Sequence, residues 1–234
     1  MNCRRGLFFI LLSILGVAYT QAVPSSTPLS FNQSFKKITQ TQPQTFFYQI
    51  PISPKGKIET RACAYCPIEE TSVVAMPIVP LEWLAKNLPC YQNKLCSKPN
   101  HMSFKGLSCC NQISSLYQLM SHDLHNWVPE TRQIKQLRGK HIPGILPLTN
   151  NNQSSYDIRV DKKKHVIHIP DAKRGTVARI YLYMTDTYQI KMDRELRATL
   201  ESWDKLYGVT DWEKTRNRLI YNLQGKANEW VERL

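Results

Sequence analysis

The chain has 234 residues, with 31 lysine and arginine against 18 aspartate and glutamate, which gives a formal net charge of +13. A surplus of this size attracts polyanions over a Debye length of about 8 Å at physiological salt. Simple solubility normally needs less charge. The composition therefore favours nucleic acid as the partner, with an anionic membrane or cell-wall surface second.

The N-terminus has the pattern of an export signal. Arg4 and Arg5 precede an apolar run over residues 7–19, which is too short to span a bilayer comfortably. Thr20 and Ala22 are small residues at the −3 and −1 positions of a cleavage site. We therefore expect an exported protein, periplasmic or secreted, and the alternative is an uncleaved anchor.

The remaining chain is long enough for one domain with a sizeable core. The predicted organisation is a signal peptide over residues 1–22, a loose tail over 23–29, and a domain over 30–234. No second apolar stretch is long enough to cross a membrane, so no stable membrane insertion is expected.

Cysteine usage predicts a disulfide-bonded fold. Cys3 leaves with the signal, and an even number of cysteines in an exported protein indicates disulfides. The candidates are Cys63, Cys66, Cys90, Cys96, Cys109 and Cys110. Cys109 and Cys110 are adjacent and are expected to bond elsewhere, but the pairing stays open. A zinc site at Cys63 and Cys66 is the alternative, although no second well-spaced pair accompanies it.

The first half of the domain alternates helical and extended patterns. Ser30 is a candidate cap for a helix over 30–39, and the aromatic and β-branched segment 45–50 predicts a strand. A helix is expected to begin near Pro80. A further helix is predicted over 111–122, where one face carries Ile113, Leu116, Leu119 and Met120.

The second half carries stronger signals. Alternating apolar residues on either side of 162–164 predict a β-hairpin, and helical spacing over 174–190 predicts a core helix. Thr210 and Glu213 form a capping-box pattern for a last helix that ends at Gly225. The fold class is therefore α+β, mainly helical, with a small antiparallel sheet.

Several segments resemble the bacterial endonuclease I family. They are Arg174-Gly-Thr-Val-Ala-Arg179 with Ile180-Tyr-Leu-Tyr-Met184, Trp203, Tyr207, Val209-Thr-Asp-Trp-Glu213, Arg216, Gln224-Gly225, Asp123-Leu-His-Asn126, Pro129 and Cys63-Ala-Tyr65. The resemblance implies a disulfide-bonded, secreted or periplasmic fold with a ββα-metal core. It also implies cleavage of DNA or RNA with little sequence preference, using a histidine base and a divalent cation held by a glutamate and an asparagine.

The positions that should perform this chemistry are degenerate. Alignment places Met76 at the family glutamate, Pro77 at the histidine, Lys135 at the asparagine, and Ser121 at a second acid. A thioether is a poor ligand for Mg²⁺, and proline has no side-chain base. No catalytic group is therefore intact at these positions. We expect neither a metal nor another cofactor. Mg²⁺ would be required only if the site is active.

The resemblance also indicates which cations are available to bind phosphate. Three cations follow His125-Asn126 and are predicted to contact nucleic acid, namely Lys135, Arg138 and Lys140. A structural role is predicted for the signature arginines Arg174 and Arg179, with Glu213 or Asp186 as ion-pair partners, and also for Arg216.

The sequence thus predicts a monomer that binds nucleic acid, most simply DNA, without sequence specificity and with hydrolysis lost or strongly impaired. One alternative is an active metal-dependent endonuclease with a rearranged site. Its candidate groups are Glu69, Glu70, Glu82, His122 and His125, although a packing role is expected for His125. A second alternative is an exported protein-binding factor.

Overall fold

The computed structural model describes residues 29–62, 71–147 and 158–233. The helices are α1 (Phe31–Thr41), α2 (Leu81–Ala85), α3 (Pro89–Gln92), α4 (Leu107–Ile113), α5 (Ser115–His122), α6 (Arg132–Arg138), α7 (Asp171–Tyr188), α8 (Arg194–Leu206), α9 (Asp211–Gln224) and α10 (Glu229–Glu232). The strands are β1 (Val73–Pro77), β2 (Cys96–Ser97), β3 (Ser103–Phe104), β4 (Trp127–Thr131), β5 (Ile142–Gly144), β6 (Val160–Asp161) and β7 (Val166–His168). The α+β class, mainly helical, is confirmed.

The sheets are small, and most of their pairings are antiparallel, as predicted. β1 pairs with β4, β2 with β3, and β6 with β7 in antiparallel fashion. The predicted hairpin around residues 162–164 is the β6–β7 pair. β5 adds to β7 in parallel, which the sequence did not indicate.

The predicted strand over 45–50 is wrong, because this segment closes on itself as a turn. The Thr45 N–H donates to the Ile50 carbonyl at 2.9 Å, and Gln49 has a positive φ of 53°. The Phe46 N–H donates to the Pro129 carbonyl of β4 at 2.9 Å. The aromatic residues that suggested a strand instead insert from a turn into the core.

The helix predicted over 111–122 is two helices, α4 and α5. Ser114 breaks it, because its hydroxyl accepts the Tyr117 N–H and caps α5. The break turns Met120 and Tyr117 inward. Three of the apolar residues predicted to share a face with Met120 are instead exposed by 41–64%, namely Ile113, Leu116 and Leu119.

Two disulfides join α3 and β2 to α4. Cys90 bonds Cys110, and Cys96 bonds Cys109, so the prediction that the adjacent cysteines bond elsewhere is confirmed. Cys63 and Cys66 lie outside the described residues, as do the predicted signal peptide and most of the tail.

Helix α7 forms the centre of the core. It is buried from Lys173 to Thr185 and packs along α8. A helix that is buried on most of its faces has to be surrounded by other elements, and here the turn over 45–50, β1, β7 and α8 contribute to the same apolar cluster. Within the described part of the chain, no helix is long and apolar enough to cross a membrane.

A buried ion pair fixes α9 on α7. The Arg179 guanidinium donates to both carboxylate oxygens of Glu213, at 2.7 and 3.0 Å, and also to Asp204 and the Tyr207 carbonyl. Arg179 and Glu213 are only 1% and 3% exposed. Glu213 also completes the predicted capping box with Thr210, and the predicted helix stop at Gly225 has a left-handed backbone. The structural role predicted for Arg179 is confirmed.

We expect Glu213→Gln to lower the free energy of unfolding by about 3 kcal/mol, because it leaves a buried guanidinium short of negative charge. Urea unfolding at neutral pH measures this loss. Asp211→Asn is the matched control, since Asp211 lies in the same helical turn, is fully exposed, and pairs with exposed Lys214. Equal midpoint shifts for the two variants would contradict the expectation.

Candidate functional site

The candidate site is a strand–strand–helix unit formed by β1, β4 and α6. The register pairs Ala75 with Pro129, Met76 with Val128, and Pro77 with Trp127. Thr131 ends β4 and its hydroxyl accepts the Ile134 N–H, which starts α6 directly after the strand. The unit is therefore the ββα arrangement that the sequence predicted.

The segment 123–126, which carries Asp123 and Asn126, holds the end of β1 in place. The Asn126 side chain accepts the Val79 N–H at 2.7 Å and donates to the Val79 carbonyl at 3.0 Å, while its own carbonyl accepts the Ile78 N–H. Asp123 accepts the hydroxyls of Tyr183 and Tyr188 of α7 at 2.7 and 2.8 Å. These hydrogen bonds give the segment a positioning role.

The two positions on β1 that are predicted to be degenerate are enclosed. Met76 is completely buried, and its thioether lies in the main apolar cluster opposite Val128. Pro77 is buried opposite Trp127 and offers neither a proton acceptor nor a metal-binding atom.

Lys135 reaches from α6 back to β1. Its ammonium donates to the Ala75 carbonyl at 2.8 Å, immediately before Met76 in the strand. Burial lowers the pKa of Lys135, and the neighbouring charges of Arg132 and Arg138 lower it further. The structure therefore brings Lys135 next to Met76, with a positive charge against the strand that carries the two degenerate positions.

Ser121 of α5 contacts the same strand pair through Trp127 of β4. Its hydroxyl donates to the Gln118 carbonyl at 3.2 Å, and its carbonyl accepts the Trp127 indole N–H at 2.9 Å. Since Trp127 pairs with Pro77, all four positions predicted to be degenerate lie around one pair of strands.

Comparison with known proteins agrees with this architecture. A sequence model of the family described as Endonuclease I matches residues 90–233, more than half of the chain. The chain belongs to the endonuclease I family. The matched residues include Ser121 and Lys135, whereas Met76 and Pro77 precede them.

Full-length relatives extend the similarity. The chain is 28% identical over 240 aligned residues to Endonuclease-1 of Buchnera aphidicola subsp. Baizongia pistaciae, covering 97% of this chain and 94% of the relative. It is 27% identical over 230 residues to a periplasmic deoxyribonuclease of Aeromonas hydrophila, covering 95% of this chain and 92% of the relative. It is 28% identical over 237 residues to an extracellular deoxyribonuclease of the same organism, covering 98% of each chain. With two disulfides in the fold, these relatives confirm the prediction of an exported protein.

The side chains at these positions do not fit the divalent cation that the endonuclease I family implies. Mg²⁺ requires oxygen ligands, and this unit presents a thioether, a proline ring, and an ammonium that would repel a cation. Among residues 29–62, 71–147 and 158–233, no three histidine, cysteine, aspartate or glutamate side chains are close enough together to hold a metal ion.

The described alternative catalytic groups have other partners. Glu82 pairs with Lys140 at 3.4 Å. His122 is exposed on α5, where its ring contacts Phe31 and its Nδ1 lies 2.8 Å from the Gln118 carbonyl. Glu69 and Glu70 lie outside the described residues.

The three predicted phosphate contacts differ in accessibility. Lys135 is exposed in part, and Lys140 has 70% of its side chain exposed. Arg138, by contrast, is 5% exposed, and its guanidinium donates to the carbonyls of Gly139 and Ile78. A phosphate contact by Arg138 is therefore not supported by its side-chain environment, whereas Lys135 and Lys140 stay predicted contacts.

The two other signature arginines are also occupied inside the protein. Arg174 pairs with Asp171 at 2.7 Å and donates to the Tyr207 hydroxyl, while Arg216 donates to the carbonyls of Leu124 and Trp127. The predicted structural roles are confirmed, although the partners are not Glu213 or Asp186.

A buried acid and a buried lysine were missed by sequence reasoning. Glu130 of β4 is completely buried and accepts the N–H groups of Phe47 and Thr131, and burial raises its pKa to about 7. Burial lowers the pKa of Lys173 to about 8, and its ammonium lies 5.0 Å from the Phe46 ring centroid. The only sequence signal was an acid inside an otherwise apolar strand.

His125 has the packing role that was expected. It is 4% exposed, stacks edge-on against Tyr183, and its Nε2 donates to the Lys226 carbonyl at 3.0 Å. Burial lowers its pKa from 6.5 to about 4, although Asp123 acts in the opposite direction.

This pKa shift predicts acid sensitivity. The folded protein prefers neutral His125, whereas the unfolded chain binds a proton near pH 6.5, so stability is full above that pH and is lost as the pH falls towards 4. The loss of stability between pH 7 and pH 4.5 is about 2–3 kcal/mol. We expect His125→Gln, which keeps a donor for Lys226, to show a smaller stability difference between pH 7 and 4.5 in urea unfolding. An unchanged difference would contradict this.

Proposed function

We propose that the protein binds nucleic acid on the endonuclease I scaffold, with hydrolysis lost or strongly impaired. The observation that carries the proposal is the Lys135 ammonium on the Ala75 carbonyl, beside buried Met76 and Pro77. Met76 and Lys135 occupy the positions at which the family resemblance implies two cation ligands. Pro77 occupies the position at which it implies the histidine base.

Phosphodiester hydrolysis needs both a base and a stabiliser of developing negative charge. A positioned general base contributes typically 10²–10⁴-fold in rate, and a metal ion generates the nucleophile and stabilises the phosphoryl oxygens. An ammonium can attract phosphate as a point charge, but it does not lower the pKa of water as a bound cation does. Loss of both functions leaves binding as the activity supported best.

Binding requires less than catalysis does. The net charge of +13 and the exposed lysines supply sequence-independent attraction to phosphates. DNA is the expected partner, because relatives covering nearly the whole chain are named deoxyribonucleases. We further propose that the protein acts as a monomer outside the cytoplasm, after loss of residues 1–22.

The second candidate is an active endonuclease with a rearranged site. The observation in its favour is the same set of relatives, which retain this scaffold as named nucleases. Such a site needs a new base and a new cation ligand, for which Glu69 and Glu70 are the acids nearest to β1 in the sequence.

Plasmid nicking distinguishes the two candidates. We expect the purified protein to retard DNA in a salt-dependent manner while leaving supercoiled plasmid and RNA intact in Mg²⁺, in Mn²⁺ and in chelator. Nicking that requires metal and is abolished by chelator would establish the active enzyme and overturn the proposal.

Restoring the family residues tests where the chemistry is lost. We expect Met76→Glu/Pro77→His/Lys135→Asn to gain Mg²⁺-dependent nicking at least about 10²-fold above the native chain, the smallest typical contribution of a general base. The matched control, Met76→Glu/Lys135→Asn, keeps Pro77 and should bind the cation without cutting.

Thermal melting provides a readout that is independent of activity. Both variants bury a new carboxylate, which costs stability until it is neutralised, so Mg²⁺ should raise their Tm and leave that of the native chain unchanged. If Mg²⁺ raises neither Tm nor nicking in the triple variant, the site has been assigned to the wrong residues.

A further inference from the structure

A second group of cations lies beyond α6, at the three-stranded sheet. α6 ends at Arg138, and the chain then passes through Lys140 and His141 into β5. Because β5 pairs in parallel with β7, the start of β5 lies beside the start of β7, where the hairpin tip of Lys162, Lys163 and Lys164 ends. The fold thus brings two basic segments, about 20 residues apart in sequence, to one edge of the sheet.

The hairpin tip has a defined shape. One carboxylate oxygen of Asp161 accepts the backbone N–H groups of Lys163 and Lys164 at 2.9 and 3.0 Å, which uses the nearest acid to fix the turn. All three lysines of the tip are exposed, and none forms an ion pair with another residue in the described ranges. Their charges are therefore directed to solvent from a fixed turn.

Two histidines connect the tip to Lys140. The His141 and His165 rings stack with centroids 6.2 Å apart, and the Ile142 N–H donates to the His165 carbonyl between them. His165 is exposed and has a positive φ of 55°, which holds it at the end of the turn. Of the acids in the described residues, Asp161 holds the turn and Glu82 pairs with Lys140.

The hydrogen bond of His141 determines its tautomer. Its Nδ1 lies 2.9 Å from the Arg138 carbonyl, and since a carbonyl only accepts, Nδ1 carries the proton. Nε2 of the neutral ring is then an acceptor, which cannot bind a phosphate oxygen. A contact from His141 to phosphate therefore requires uptake of a second proton.

We propose that Lys140, His141, Lys162, Lys163, Lys164 and His165 form a phosphate-binding strip that extends the nucleic-acid interface beyond Lys135 and takes up protons on binding. The inference rests on the proposed function, because it assigns a further surface to the same polyanion. Duplex DNA is the partner, since an extended strip that continues from α6 matches a row of phosphates along a backbone.

The lysines are tested by salt dependence. Affinity for a labelled 20-base-pair duplex is measured across a series of NaCl concentrations for the native protein and for Lys162→Gln/Lys163→Gln/Lys164→Gln. We expect the slope of log affinity against log salt to become shallower by roughly 2 to 3, about 0.9 for each lost phosphate contact. The control Lys36→Gln/Lys37→Gln/Lys55→Gln removes the same charge from exposed positions on α1 and the loop after it.

The histidines are tested by pH. Between pH 7.5 and 5.5 we expect the native protein to gain roughly tenfold more affinity than His141→Gln/His165→Gln, the size of one hydrogen bond to a charged group. His101→Gln, in an exposed turn between β2 and β3, should behave as the native protein does. Circular dichroism and Tm confirm that each variant is folded.

The outcomes separate this inference from the proposed function. We call Lys162→Gln/Lys163→Gln/Lys164→Gln the tip variant. If the native protein binds DNA with a steep salt slope but the tip variant has the same slope as its control, the proposed strip is disproved and the proposed function survives. If the native protein binds no DNA, the proposed function fails with it. Loss of binding to phosphatidylglycerol vesicles in the tip variant, with DNA binding unchanged, would assign the strip to a membrane surface and also overturn the inference.

Discussion

The buried charge of Arg179 constrains how the C-terminal half of the chain can pack. A guanidinium inside a core must be neutralised and fully hydrogen-bonded, and here Glu213, Asp204 and the Tyr207 carbonyl do this together. These bonds tie α8 and α9 to α7 through one side chain. Gly175 permits this packing, because a Cβ there would lie 2.8 Å from both Tyr207 Cβ and the Tyr207 carbonyl oxygen.

The supports of the candidate site are separate from its chemistry. Asn126 holds the backbone of Val79, and Asp123 ties the same segment to Tyr183 of α7. None of these bonds involves the side chains of Met76 or Pro77. The hydrogen bonds that hold the end of β1 are therefore independent of those two side chains, although Met76 itself still packs in the core.

The sequence predicted structure correctly where the signal is local, and it failed where contacts between residues distant in sequence determine the local backbone. The Thr210 cap and the αL stop at Gly225 are local, and both were predicted. The segment 45–50 has strand composition, but its backbone pairs within a turn and with Pro129, a contact more than 80 residues away in sequence. Likewise, a family motif located the degenerate positions, whereas the Lys135 contact with the β1 backbone required the three-dimensional packing of α6.

The distribution of cations between interior and surface determines what kind of nucleic-acid binding is possible. Arg138, Arg179 and Arg216 direct their guanidinium groups to carbonyls and carboxylates inside the protein, so part of the net charge never faces solvent. Around the site, the accessible charge belongs mainly to lysines such as Lys140 and those of the hairpin tip. A lysine is a flexible point charge without the planar fork that recognises a base edge. This arrangement is consistent with the proposed attraction to phosphates without sequence preference.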